Sequence, residues 1–135
     1  MSIKISDIEG IGPAIVKKLA KSNIRSVSGL LKSCASKKGR KQIAEESGID
    51  EKQILKWVNM ADLYRIKGVG SEYSELLEAA GVDTIKELRK RKPDNLHAKM
   101  LEVNSKKKLV RQPPSIRFVT KWVSEAQTLE PLVSY

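Results

Sequence analysis

The sequence predicts an all-α fold built from two copies of one helical plan. Three observations predict it. No segment alternates apolar and polar residues for long enough to make a strand. Apolar residues recur instead at spacings of three and four, bounded by Ser, Thr, Gly and Pro where helices start and stop. The chain also repeats itself: Ile8-Glu9-Gly10-Ile11-Gly12 is echoed 58 residues later by Ile66-Lys67-Gly68-Val69-Gly70. The same offset pairs Leu19 with Leu77, Ile24 with Val82, Ser26 with Thr84, Val27 with Ile85 and Leu30 with Leu88. It widens to 65 further on, where Ile54, Trp57, Val58 and Ala61 match Val119, Trp122, Val123 and Ala126. The extra residues fall in the stretch holding Ser105-Lys106-Lys107-Lys108 and Arg111-Gln112-Pro113-Pro114. Two halves follow, 1–63 and 64–135.

Each element has a local reason. Gly12-Pro13 opens a helix, since proline's missing N–H costs nothing at the first helical position. Ile15, Val16 and Leu19 give that helix an apolar face as far as about Ser22. Ser26 caps a second helix carrying Val27, Leu30 and Leu31. A third spans Lys38–Ser47 and stops at Gly48, a natural left-handed terminator. Asp50 with Gln53 opens a fourth through Ile54, Leu55 and Val58 toward Leu63. In the second half, Ser71 starts a helix with Leu76, Leu77 and Ala80, and Gly81 stops it. Thr84-Ile85-Lys86-Glu87 is a capping box. Lys92-Pro93-Asp94 breaks the chain before a stripe of Leu96, Met100, Leu101 and Val103. Pro113-Pro114 forces an extended link, and Ser115 caps a last helix through Val119, Trp122 and Val123. Neither half has the size to bury a full core alone, so the expectation is that both pack as one compact unit.

Composition narrows the function. Of 135 residues, 26 are Lys or Arg and 16 Asp or Glu, a formal net charge of +10. Such an excess points to a polyanion as partner. A hydrophobic share of 40% with 31% charged residues is globular composition. Aromatics make up 4%, too few for a sheet that stacks many bases. A single Cys (Cys34) excludes an intramolecular disulfide, and one Cys with one His (His97) cannot furnish a zinc site. No apolar run is long enough to cross a membrane. The opening MSIKISDIEG lacks the apolar core of a signal peptide, which leads to the expectation of a cytoplasmic protein.

The repeated turn carries the chemistry. A helix, a tight turn of the form hydrophobic-Gly-hydrophobic-Gly and a second helix make the helix-hairpin-helix plan. With Gly10-Ile11-Gly12 and Gly68-Val69-Gly70, the chain resembles tandem helix-hairpin-helix proteins. Glycine permits positive φ and lets a phosphate approach without a Cβ in the way. The next helix begins there, so its free N–H groups face the same anion. Ile11 or Val69 turns inward and pins the turn. Beside the first turn stand Lys17, Lys18 and Lys21. Beside the second, after Ser71, stand Glu72, Glu75 and Glu78, which oppose a phosphate. The first turn is therefore the stronger candidate, and Gly68, Gly70 and Ser71 form the weaker one.

The resemblance extends along the chain. Gly39-Arg40-Lys41-Gln42-Ile43-Ala44-Glu45, Ile54-Leu55-Lys56-Trp57-Val58-Asn59, Leu76-Leu77-Glu78-Ala79-Ala80-Gly81-Val82-Asp83-Thr84 and Lys121-Trp122-Val123 are similar to the family called domain of unknown function 4332. That resemblance implies the tandem fold and brings no activity with it.

Two further basic groups are candidates. Lys37, Lys38, Arg40 and Lys41 surround Gly39 at a helix start, as a phosphate clamp or as a solvated face. Lys106, Lys107, Lys108 and Arg111 fall in the insertion, as a flexible basic loop laid along a polyanion or as a solubilising one. Lys86, Arg89, Lys90, Arg91 and Lys92 crowd a helix end, where the dipole alone favours cations. Trp57 and Trp122 read as matched core anchors. Cys34 has no neighbouring His, and His97 has no triad partner. The acids form no nuclease metal site, so an enzyme is not expected, nor any cofactor. The resulting expectation is a non-enzymatic binder of the double-stranded DNA backbone, with RNA as the competing polyanion. The alternative is a protein-interaction or scaffold module, with structural hairpins and charged faces that meet an acidic partner.

Overall fold

A computed structural model describes residues 4–8 and 10–135. Glu9, the second residue of the first repeated turn, lies outside them, as do residues 1–3 of the opening segment. Among the described residues there are eight α-helices and no strand, so the chain is all-α. None of these helices is long and apolar enough to cross a membrane. The chain divides into two compact units. One runs up to Asp62 and regains Leu132–Tyr135; the other is Leu63–Pro131.

In the first unit a short 3-10 turn (Ile5–Asp7) leads through Gly10 into α1 (Pro13–Ala20). Helix α1 closes before Ser22 because Asn23 turns left-handed at φ 63°. The Ile24 N–H then reaches back to the Leu19 carbonyl at 3.0 Å and satisfies one of the helix's last acceptors. Helix α2 (Val27–Cys34) is capped by the Ser26 hydroxyl, which accepts from the Gly29 N–H at 3.0 Å. Helix α3 (Lys37–Ser47) is capped by Ser36 in the same way and stopped by Gly48 at φ 75°. Helix α4 (Glu51–Leu63) starts where Asp50 accepts from the Lys52 N–H at 3.1 Å. Buried apolar residues of this unit include Ile8, Ile11, Leu19, Ile24, Leu30, Ile43, Ile54 and Trp57.

The last four residues of the chain are tied to this unit. Val133 is buried, and the Ser134 N–H donates to the Ala35 carbonyl at 2.8 Å. Arg40 completes the tie. Only 2% exposed, its guanidinium donates to the carbonyls of Cys34 (3.1 Å), Ala35 (2.9 Å) and Ser134 (2.6 Å).

In the second unit α5 (Ser71–Ala79) closes at Gly81, φ 96°, with the Val82 N–H on the Leu77 carbonyl at 2.8 Å. That repeats the Asn23–Ile24 closure of α1. The one-turn helix α6 (Ile85–Leu88) is capped by Thr84, and α7 (Pro93–Lys107) begins on its proline. Helix α8 (Ile116–Thr128) is capped by Ser115. Helix α7 packs against α5 and α8, and α6 against α8. Leu76, Leu77, Ile85, Leu88, Met100, Val119 and Trp122 belong to one apolar core. Burying such side chains is worth about 1.5–3 kcal/mol each against leaving them in water.

Candidate nucleic-acid interface

At their described residues the two repeated turns share their backbone features. Gly10 and Gly68 take φ of 93° and 89°. The Ile11 N–H returns to the Ile8 carbonyl at 3.0 Å, and Val69 to Ile66 at 3.1 Å. Ile11 and Val69 are buried and anchor the turns. Gly12 and Gly70 then stand at the helix starts, where their carbonyls accept from the Val16 and Ser74 N–H groups.

The two glycines of each turn differ in what holds them. A Cβ on Gly10 would lie 3.1 Å from Trp57 Nε1, and one on Gly68 would lie 3.5 Å from Trp122 Nε1. With positive φ as well, the first glycine of each turn is required by the fold. Gly12 and Gly70 have φ of −94° and −109°, open to any residue, and a Cβ on either would meet nothing within 4 Å. Neither conformation nor packing asks for glycine there. Both are helix N-caps without a side-chain cap, a position where Ser, Asp or Asn stabilises more. The amides of the first turn are left open, in α1 those of Ala14 and Ile15, and the missing Cβ leaves room for an anion.

The charges around the turns also differ. Lys17, Lys18 and Lys21 are exposed at the far end of α1, and no ion pair holds them among the described residues. Beside the second turn, Glu72 is exposed and Glu75 and Glu78 are half-buried. Ser71 is half-buried at the start of α5. Glu125 of α8 already occupies this turn: both carboxylate oxygens accept from the Lys67 N–H, at 3.2 and 3.1 Å. Sequence reasoning missed Glu125, although the offset of 65 sets it against Met60 and so exposes a change from apolar to acidic.

The basic clusters divide. Lys37, Lys38 and Lys41 are exposed. Arg40 is withdrawn from any surface role, its guanidinium already spent on three backbone carbonyls. Gly39 serves packing: a Cβ there would run into the Ser33 carbonyl oxygen, so its lack of side chain lets α3 approach α2. Lys37 and Lys38 lie in the first turn of α3, at the positive end of the helix dipole, with no acid in that turn. That is an unfavourable place for cations and one that a bound anion relieves.

The second basic run is not the flexible loop the sequence suggested. Lys106 and Lys107 form the last turn of α7, and Lys108 ends it left-handed at φ 51°. The buried Asn104 side chain then clamps Val110, accepting its N–H at 3.0 Å and donating to its carbonyl at 3.1 Å. Two hydrogen bonds to one residue fix the turn. Lys106 pairs with Glu102 at 3.5 Å, while Lys107, Lys108 and Arg111 are exposed.

No group of three or more metal-ligating side chains occurs among the described residues. His97 Nε2 is 3.0 Å from the Pro114 carbonyl and helps hold the link before α8. Beside Gly68 lies a cavity of about 410 Å³, lined by Lys67, Tyr73, Phe118, Lys121, Trp122 and Glu125.

The repeated turns, the capped helices and the matched tryptophans run through one stretch of chain, and that stretch is matched by a known family over residues 9–129. The chain belongs to the family described as domain of unknown function (DUF4332). No curated protein and no solved structure matches it. Within this DUF4332 chain the match takes in both glycine turns, Lys17 to Lys41 and the Asn104 clamp.

Proposed function

We propose that this DUF4332 protein is a non-enzymatic nucleic-acid binder that grips the backbone of double-stranded DNA without reading sequence. In this reading its glycine turns are helix-hairpin-helix turns. The observation that carries it is Gly12: a glycine at a helix start that neither backbone conformation nor packing requires, beside uncapped amides. A phosphate oxygen accepts from those amides, and Lys17, Lys18 and Lys21 add charge and release counterions. Lys37, Lys38 and Lys41 extend the basic surface of the same unit. The second turn, faced by Glu72 and Glu125, takes the lesser part. Contacts of this kind position a protein on the duplex and carry no base information.

A scaffold role is the competing reading, favoured by the packing of Trp57 and Trp122 against the first glycine of each turn. Fluorescence anisotropy on unrelated duplexes over a salt series decides between them. Binding that is equal across sequences and falls steeply with salt is expected. Replacing Lys17 and Lys18 by Glu weakens it on all of them alike and flattens the salt slope. Absence of binding at low salt refutes the proposal.

A further inference from the structure

The aromatic residues are few, six in all, and three of them (Tyr73, Phe118 and Trp122) line the cavity beside Gly68. Tyr73 and Trp122 meet with ring centroids 5.3 Å apart, tilted by 53°, and form a wedge. Phe118, the chain's one phenylalanine, is 50% exposed at its mouth. Lys67 and Lys121 are exposed at the rim, and no ion pair holds either among the described residues. Glu125 is fixed in the lining by the Lys67 N–H.

The first unit does not repeat this aromatic lining at the matching described positions. Its matching positions hold Ile15 for Tyr73, Gln53 for Phe118 and Met60 for Glu125. The Gln53 side chain lies over Gly10, its Nε2 3.6 Å from where a Cβ would be, whereas Gly68 has only Trp122 near it. The space that Gln53 fills in one unit is open and aromatic in the other.

From this we infer that the cavity beside Gly68 takes one unpaired nucleobase of a single-stranded nucleic acid, stacked against Phe118 and Tyr73, whose ring is backed by the buried Trp122, with Lys67 and Lys121 on the adjoining phosphates. The inference rests on the nucleic-acid reading above and gives the second unit a separate ligand. Aromatic faces accept any base, in keeping with the proposed backbone grip that reads no sequence. The volume lies in the range of small-ligand sites, enough for a base and too small for a duplex. The charges explain the occupant: two free ammonium groups at the mouth favour a phosphate-bearing ligand over an uncharged one. The Glu125 carboxylate, inside, can accept from the exocyclic amine of cytosine, adenine or guanine.

The test uses the full chain and ten-residue single-stranded DNA labelled for anisotropy, in three forms: dC, dT and a fully abasic strand. Phe118→Ala, at an exposed position that leaves the core intact, is expected to weaken dC and dT binding roughly tenfold. It leaves the abasic strand and a duplex unchanged. If the abasic strand binds as well as dC, or if Phe118→Ala changes nothing, the base pocket is refuted. An acidic peptide bearing a tryptophan that binds here more tightly than dC also overturns it, in favour of a protein partner. The two readings fail separately. Loss of duplex binding with a Phe118-dependent single-strand affinity refutes the backbone grip alone, and the converse refutes the pocket alone.

Discussion

The indole nitrogen of Trp57 lies 3.1 Å from the place a Cβ on Gly10 would take. Trp57 is 1% exposed, and its N–H finds no partner among the described residues, so the ring is held there by packing alone. The backbone at Gly10 is also left-handed. Gly10→Ala therefore combines a conformational cost of about 1–2 kcal/mol with displacement of a buried ring, for a loss of about 2–3 kcal/mol. At Gly68 the equivalent distance is 3.5 Å, an ordinary contact, and Gly68→Ala is expected to cost only the conformational part. Urea unfolding of the two variants side by side checks the difference.

Gly12 predicts effects of opposite sign on stability and binding. A serine there would meet no atom within 4 Å and would cap α1 through its hydroxyl. Gly12→Ser is thus expected to leave stability unchanged or raise it by roughly a few tenths of a kcal/mol. The same hydroxyl takes the amides proposed to hold a phosphate, so duplex affinity should fall. A thermal melt and a duplex titration on one preparation measure both. A variant that binds as the parent does would show that α1's open end meets no anion.

Arg40 and Lys41 are neighbours in sequence with opposite fates. Arg40→Met removes three hydrogen bonds to backbone carbonyls and leaves those acceptors short of partners, at a cost of about 3 kcal/mol. Lys41→Met, at an exposed position, should stay within about 0.5 kcal/mol. Because the Arg40 guanidinium also holds Ser134, the loss from deleting Leu132–Tyr135 should add less than fully to the Arg40→Met loss. Denaturant midpoints of the two single variants and the double variant test this.

These cases show where the sequence is legible. Ser26, Ser36, Thr84 and Ser115 mark helix starts through local chemistry, a hydroxyl accepting an amide three residues on, and three of the four could be read directly. The end of α1 could have been read too, since Asn23 is a residue type that enters the left-handed region without glycine's freedom. Arg40 could not. Its partners are Cys34, Ala35 and Ser134, the last 94 residues away, and no local pattern marks one arginine in a basic run as buried. Lys106 to Lys108 misled for a similar reason: Asn104's clamp on Val110 gives no periodic signal. The cavity beside Gly68 arises from what replaces Gln53, and only the internal repeat makes that replacement visible.

Cys34 ties burial to pH. It is fully buried, and burial raises its thiol from an ordinary value of 9.0 to about 11, with Arg40's charge opposing the rise. In the unfolded chain the thiol ionises near its ordinary value, so between pH 9 and 11 the unfolded state gives up a proton that the folded state keeps. A raised folded value means the contribution is complete below pH 9 and is lost as pH climbs toward 11. Stability should therefore fall across that window more steeply for the parent than for Cys34→Ala, which has no thiol to ionise. The alanine variant starts lower because it leaves a small cavity, but the readout is the slope, which a cavity does not change. Chemical denaturation at pH 8, 9, 10 and 11 measures it. Every other ionisable group is common to the two proteins and cancels in the comparison. Equal slopes in the two proteins would mean that Cys34 ionises as readily folded as unfolded, and that its site admits water.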